Sequence, residues 1–434
     1  MDKLVIRGGQ PLRGELAISG SKNTALPLMA AALLADGAST LTNIPNLRDV
    51  RTFSQVIEYT GTSVLYDAPT NTLLMNAGTL ERPTAPYELV KKMRASFYML
   101  GALLGRMGEA RVSLPGGCAW GPRPVDLHIE GLKAFGATID LDAGDVVASA
   151  PGGRLRGGIF EMQPSSVGAT INLLLGAATA KGGSKIVNAA REPDVVVFGK
   201  ALQAMGAKIE GLGTGLIEVE GVDSLNPITF RNCADRIELG TFMIATALAG
   251  VPGEPVRLTG AEPEYLGEAF DEAFARTGTT VEMDGDTMLV TAPEVIQPAS
   301  VETAIYPGFP TDLQAQWTVL MTQAAGNSRI VESIYTDRFK HIPELQRMGM
   351  NAIVVDNGVS IQGGMTLKGA KVMSTDLRAS VSLVLAAMIA EGTTDVLRVY
   401  HLDRGYEELE VKLRGAGIDI ERVKYNEWDV PETE

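Results

Sequence analysis

Cysteine, histidine and aromatic residues are all scarce in this chain of 434 residues, which has two cysteines, three histidines and 6% Phe, Trp and Tyr. Cys118 and Cys233 stand too far apart in sequence to form a disulfide framework, and His128, His341 and His401 are too scattered for a zinc site. Reduced thiols and no metal are therefore expected. Basic charge is also short: the net charge of -14 argues against nucleic acid as a partner, because phosphate backbones attract basic surfaces. No uninterrupted apolar run approaches a membrane span, and the opening residues, MDKLVIRGGQPLRGELAISG, lack a basic start followed by an apolar core. A cytoplasmic protein without a membrane partner is expected. The spacing GxxxxGK[ST] is missing, so the GSK of SGSKNT resembles a phosphate loop only superficially, and no GxGxxG follows a strand to suggest a dinucleotide.

What the chain does have is bulk and repetition. Hydrophobic residues at 45% and charged residues at 21%, with no polar low-complexity run, imply folding throughout, and the length implies two large domains. Sliding the sequence along itself gives a unit of roughly 70 residues. Its six copies open with SKNTALPLMAAALLADG, MRASFYMLGALLGRMG, SSVGATINLLLGAATAKG, DRIELGTFMIATALAG, TDLQAQWTVLMTQAAG and TDLRASVSLVLAAMIAEG. In the first, Leu26, Met29, Ala30, Leu33 and Leu34 recur at helical spacing, and Leu377, Val381, Val384, Leu385 and Met388 do so in the sixth. Their other faces are also apolar, which predicts helices buried on most sides, each running into a stop glycine.

After each comes a short β-like run such as ARVSL or SRIVES, then a more polar helix, a glycine turn such as FGATI, and another strand. Six β-rich α/β units are expected, three to a domain, with amphipathic outer helices facing water. The seam falls near PITFRNCAD, giving one domain over 22–233 and another from 1–21 with 234–434. The first strand could pair with the C-terminal half.

Alignment of the repeats puts Lys22 and Asn23, Arg94, Ser166, Arg236, Asp312, and Asp376 with Arg378 at the starts of the six buried helices. Helix N-termini carry unpaired N–H groups and partial positive charge, so several of them converging would form an anion pocket. A second set, Arg48, Arg123, Arg191, Arg338 and Arg404, opens the outer helices; the fourth unit has Glu262 and Glu264 instead. Blander accounts exist for some of these. Asp312 behind Thr311 fits a capping box, worth about 0.3–1 kcal/mol in the first turn. Arg48 and Arg191 read as salt-bridged surface or domain-edge residues, and Cys233 as packed. His128 fits capping, packing and function alike, and Trp317 fits core and lid alike.

The loop PGGCAWGPRPVDLH places Cys118 among glycines and prolines, where a thiol is accessible and open to chemistry. Taken with SGSKNTALP, SVGATIN, FPTDLQAQ, STDLRAS and HLDRGYEEL, it resembles the enolpyruvyl transferases acting on UDP-N-acetylglucosamine, the 1-carboxyvinyltransferases of bacterial peptidoglycan synthesis. The resemblance runs over residues 3–422. The related shikimate-pathway transferases lack the cysteine loop. The resemblance implies an α/β, two-domain enolpyruvyl transferase-like fold, six repeated units packed around internal helices, with the active site in the interdomain cleft. It implies transfer of the enolpyruvyl group of phosphoenolpyruvate to the 3-hydroxyl of UDP-N-acetylglucosamine with release of phosphate, and neither metal nor organic cofactor. The partners it implies are these two small molecules.

Residue roles follow from the same resemblance. Cys118 is the implied proton donor and fosfomycin-reactive thiol, Asp312 the implied base, and Asp376 a proton-handling or orienting group. Lys22, Asn23, Arg123, Arg338, Arg378 and Arg404 correspond to the phosphoenolpyruvate cradle. Asn23, Arg94, Arg123, Pro124, Val125, Asp126, Leu127, His128, Ser166, Val167, Asp312 and Ile334 correspond to nucleotide-sugar positions. Two departures are Pro164, where many members carry lysine, and Trp120 beside the cysteine. Alternatives are a weakly catalytic paralogue that binds UDP-N-acetylglucosamine as a regulator, and transfer to shikimate 3-phosphate.

Overall fold

The computed structural model describes residues 1–91, 93–114 and 125–426; Cys118, Trp120, Arg123 and Pro124 lie outside the described residues. The chain divides into two compact units, Gly20–Cys233 and Met1–Ser19 joined with the chain from Ala234 onward. Each unit holds three four-stranded sheets of one strand order. In the sheet of Thr84–Ala85, that strand runs parallel to Glu109–Ser113, which pairs antiparallel with Asp145–Ser149, which pairs in turn with Thr138–Asp142. The same arrangement recurs in the other five sheets.

Each sheet thus holds two strands beyond the expected pair: a short one parallel to the strand after the inner helix, and a central strand antiparallel to both neighbours, which in five of the six sheets closes a hairpin with the last strand. Ser63–Asp67 and Thr72–Asn76 form such a hairpin. In both strands alternate positions face the inner side, as on a half-buried antiparallel sheet. The N-terminal strand Asp2–Arg7 lies between Thr393–Leu397 and Asp419–Lys424, and Glu15–Ala17 runs parallel to Val256–Thr259, so both complete sheets of the C-terminal unit. In the other unit, Thr229–Arg231 returns to lie parallel to Ala38–Thr42.

Inside the sheets lie the six apolar helices Lys22–Ala32, Tyr98–Met107, Val167–Ala177, Arg236–Ala249, Gln314–Thr322 and Leu377–Ile389. All nine residues of Gln314–Thr322 are buried, the polar Gln314, Gln316, Thr318 and Thr322 among them. Trp317 belongs to this core and donates through Nε1 to the Ala299 carbonyl at 2.9 Å, which settles it as core and not lid. The outer helix Arg48–Tyr59 buries Val50, Phe53, Val56 and Ile57 along one stripe. Each such side chain stabilises the fold by about 1.5–3 kcal/mol on burial.

The stop glycines behave less uniformly than expected. Tyr98–Met107 ends on Gly108 at φ 73° and Arg236–Ala249 ends on Gly250. The other four inner helices stop earlier, leaving Gly37, Gly182, Gly326 and Gly392 in the turn to the next strand. Among the described residues no helix is long and apolar enough to cross a membrane.

Candidate active site

In the C-terminal unit the charged residues meet at the start of two inner helices. Asp312 lies in the 3-10 turn Thr311–Leu313 ahead of Gln314–Thr322, and makes no cap bond to that turn, against the capping-box expectation. Its carboxylate is claimed elsewhere. Oδ1 takes Arg338 Nη2 at 2.7 Å and Oδ2 takes Arg378 Nη2 at 2.7 Å. Both arginine side chains are only 7% exposed, whereas the carboxylate keeps 27%. Burial pushes the Asp312 carboxyl up, but the guanidiniums of Arg378 and Arg338 outweigh it and hold the group well below the ordinary carboxylate range.

Arg378 owes its position to the helix it opens. Asp376 is the N-cap of Leu377–Ile389, and its Oδ1 accepts from Arg378 N at 2.9 Å and Ala379 N at 3.1 Å. Asp376 therefore orients Arg378 through the backbone, as a helix cap does. On the far side of the Asp312 turn, Gln316 Nε2 donates to the Asp312 carbonyl at 3.0 Å and to Thr241 Oγ1 at 3.1 Å. Tyr406, two residues past Arg404, shares its hydroxyl with Thr241 at 2.9 Å and is pushed up to about 12 by burial. Arg404 ends the 3-10 turn Val399–Arg404, half-buried, and Ile334 is half-buried beyond the strand Ser328–Val331.

In the unit Gly20–Cys233, Lys22 is the first residue of its helix, with Nζ 3.7 Å from Asp49 Oδ2 at the start of the outer helix. Asn23 beside it is half-buried. The preceding Ser21 caps the helix through Thr24 N, and both hydroxyls, Ser21 Oγ and Thr24 Oγ1, donate to Asp194 Oδ1 at 2.9 Å. Cys233 is buried against Thr24 Oγ1 at 3.4 Å, the packed residue it was expected to be.

Arg94 opens the 3-10 turn Arg94–Phe97 before its inner helix, and Ser166 caps Val167–Ala177 by accepting from Ala169 N at 3.3 Å. Gly168 lies against the ring of His128, so closely that a Cβ there would stand 3.1 Å from Cε1. Val125 is buried, Asp126 exposed and Leu127 half-buried at the start of Asp126–Ala134.

His128, one of the nucleotide-sugar positions implied above, lies inside the unit. It is 3% exposed, edge-on to Phe97 at 5.2 Å, with Nδ1 2.8 Å from Asn172 Nδ2. Burial, reinforced by Arg94, lowers its pKa to about 3. The imidazole is therefore neutral, and its Nε2 is buried without a hydrogen-bond partner among the described residues.

Asp49, beside Lys22, and Asp194, which accepts from Ser21 and Thr24, were not among the candidates read from the sequence. Asp49 and Asp194 each occupy the first turn of an outer helix, one position after Arg48 and three after Arg191, where an acid complements the helix dipole. That placement was a usable signal. Among the described residues no group of three or more His, Cys, Asp or Glu could hold a metal ion.

Residues 6–413 match the family model described as EPSP synthase (3-phosphoshikimate 1-carboxyvinyltransferase). The chain is 51% identical over 429 residues to the UDP-N-acetylglucosamine 1-carboxyvinyltransferase of Chlorobaculum parvum, covering 99% of this chain and 100% of that protein. It is likewise 51% identical over 433 residues to the protein of the same name from Chloroherpeton thalassium, covering all of both. Among solved structures, the enolpyruvyl transferase NikO from Streptomyces tendae superposes with a TM-score of 0.88 at 28% identity, over 98% of this chain and 99% of that one. An EPSP synthase from Acinetobacter baumannii shares the fold, with a TM-score of 0.75 at 16% identity over 98% of this chain and 100% of that one.

Proposed function

The chain belongs to the enolpyruvyl (1-carboxyvinyl) transferase family, and on that premise we propose that it moves the enolpyruvyl group of phosphoenolpyruvate onto the 3-hydroxyl of UDP-N-acetylglucosamine, releasing phosphate in peptidoglycan precursor synthesis. The observation that carries the choice of acceptor is the 51% identity along the whole chain to relatives named for that nucleotide sugar. The Asp312–Arg338–Arg378 cluster is compatible with the chemistry.

Addition across the enol double bond needs a proton at C3 of phosphoenolpyruvate while the sugar hydroxyl gives up its own. Cys118, outside the described residues, is the proposed proton donor, and Asp312 the proposed acceptor. Elimination then expels phosphate, removes a proton from the same methyl carbon and restores the double bond. In the free protein Asp312 is a weak base, because two guanidiniums share its charge. An anionic substrate competing for Arg338 and Arg378 would draw them off and make the carboxylate more basic as the reactants arrive.

Lys22, Asn23, Arg123, Arg338, Arg378 and Arg404 are proposed to hold the phosphate and carboxylate, since guanidinium forks suit flat anions. Arg94, Pro124, Val125, Asp126, Leu127, His128, Ser166, Val167 and Ile334 are proposed for the nucleotide sugar, together with Asn23, Arg123 and Asp312. Asp376 acts as the cap that orients Arg378. Both substrates are metabolites of the cytoplasm, the proposed compartment.

The test is phosphate release from phosphoenolpyruvate with UDP-N-acetylglucosamine, beside shikimate 3-phosphate and a Cys118→Ser variant. Release only with the nucleotide sugar, slowed about 100-fold or more in the variant, is expected. No release with either acceptor, while the nucleotide sugar still binds, would overturn the enzyme in favour of a regulatory binder.

A further inference from the structure

Glu332 follows the strand Ser328–Val331 and is fully buried, although no motif in the sequence draws attention to it. Its Oε1 accepts from Thr303 Oγ1 at 2.8 Å, Ile334 N at 2.9 Å and Tyr335 N at 2.8 Å. Its Oε2 accepts from Thr311 Oγ1 at 2.8 Å. Four donors thus satisfy one buried carboxylate, the condition under which such a group is tolerated.

The contact with Thr311 has a fixed direction. Arg338 Nη1 donates to Thr311 Oγ1 at 2.9 Å, and a guanidinium can only donate. The hydroxyl therefore accepts from Arg338 and has its single proton left for Glu332. Arg338 Nη2 meanwhile reaches Asp312 Oδ1 at 2.7 Å. One planar guanidinium is held by a carboxylate directly and by a second carboxylate through one hydroxyl.

We propose that Glu332 is a positioning residue for the transfer reaction, acting through Thr311 to fix the orientation in which Arg338 meets Asp312 and the anionic substrate. The proposal rests on the function proposed above for its kinetic consequence, though not for its geometry. A guanidinium loses less entropy per hydrogen bond when its plane is already set, so the benefit should appear in the affinity for phosphoenolpyruvate.

Glu332→Gln is nearly isosteric. Three donors draw the amide oxygen to the Oε1 position, so the amide nitrogen faces Thr311. Thr311 Oγ1 then meets two donors and its own proton loses its acceptor, which breaks the relay. Thr311→Val breaks it independently, in case the first variant fails to fold, and Thr311→Ser keeps the hydroxyl.

Two readouts are needed. In turnover, Glu332→Gln and Thr311→Val should raise KM for phosphoenolpyruvate about 10-fold or more, as expected for losing a hydrogen bond to a charged group. KM for UDP-N-acetylglucosamine should stay within about twofold, and Thr311→Ser should restore the wild-type value. In nitrogen-15 spectra, the Arg338 guanidinium signals, identified by their loss in Arg338→Lys, should show hindered rotation in wild type and free rotation in both relay variants. Wild-type KM and unchanged Arg338 signals in both variants would overturn the proposal. If wild type released no phosphate, the functional proposal would fail, and the Arg338 signals alone would decide this one.

Discussion

Asn172 Nδ2 donates to His128 Nδ1 across 2.8 Å. The same amide gives its other proton to the Phe97 carbonyl at 2.9 Å and accepts Gly101 N at 2.7 Å through Oδ1, so the orientation of both side chains is determined. Nδ1 must accept, leaving the proton of the neutral ring on Nε2. One asparagine thereby ties two inner helices to the helix that follows the cysteine loop. Asn172→Asp should keep the Gly101 contact but set a carboxylate against the ring, and the His128 pKa should rise from about 3 toward or above its ordinary value near 6.5, read by proton NMR titration. An unchanged value would mean that the contact does not govern the ring. Asn172→Leu should cost about 3 kcal/mol or more in denaturant melts, because three buried polar partners lose their bonds.

Acid stability should follow from two buried histidines, one in each unit. His128 and His341 are both lowered to about 3, burial being the larger cause and Arg94 or Arg338 the smaller. Each is neutral when folded and takes up a proton in the unfolded chain below about 6.5. Their contribution is complete above that pH and is lost as the pH falls toward 3, at up to about 1.4 kcal/mol per unit for each ring. Melts of the whole protein from pH 7 to 4 should show that slope. Replacing His128 with glutamine should flatten it for the unit Gly20–Cys233 alone, and an unaltered slope would count against the assignment.

The close approach of helices at Gly101 offers a direct packing test. A Cβ there would stand 2.3 Å from the Asn172 carbonyl oxygen and 2.4 Å from Oδ1, with no flexible end to yield. Gly101→Ala should therefore destabilise by about 1–3 kcal/mol despite alanine's better helix propensity. A stabilised variant would show that the inner helices can part without penalty.

Much of this architecture was legible because it is repeated. Six all-apolar helices, each with a polar residue at its start, announced both the inner helices and the row of functional candidates, and Lys22, Arg94, Ser166, Arg236, Asp312 and Arg378 all lie at or one short turn ahead of an inner-helix start. The extra strands were not legible, being as short as Thr84–Ala85 and held by pairing with distant chain more than by local propensity. Nor were the supports of the site. Glu332 is a lone acid at the end of an apolar run, and its four donors come from segments that only the fold brings together. Asp312 is legible as an acid at a helix start, but its neighbours Arg338 and Arg378, remote in sequence, decide its charge.

Those neighbours make Asp312 the residue whose removal should be most damaging. Asp312→Ala leaves two guanidiniums, each 7% exposed, facing one another without their shared counter-charge. Breaking a buried pair by deleting one partner typically costs about 3–5 kcal/mol, and the remaining like charges add repulsion. Removing Arg378 as well, in Asp312→Ala with Arg378→Met, relieves that repulsion and should recover part of the loss. Denaturant melts of the two single variants and the double variant measure the coupling directly. Because the carboxyl is held below its ordinary range when folded, its stabilising effect is present above that range and fades as the pH falls through it, so the cost of Asp312→Ala should shrink in acid. Activity separates the electrostatic role from the chemical one. Asp312→Asn keeps one oxygen to accept from a single arginine and turns an amide N–H toward the other, and it cannot take the proton of the sugar hydroxyl, so phosphate release should drop about 100-fold or more. Near-normal release from a folded Asp312→Asn protein would remove Asp312 as the base and leave it the counter-ion that sets Arg338 and Arg378.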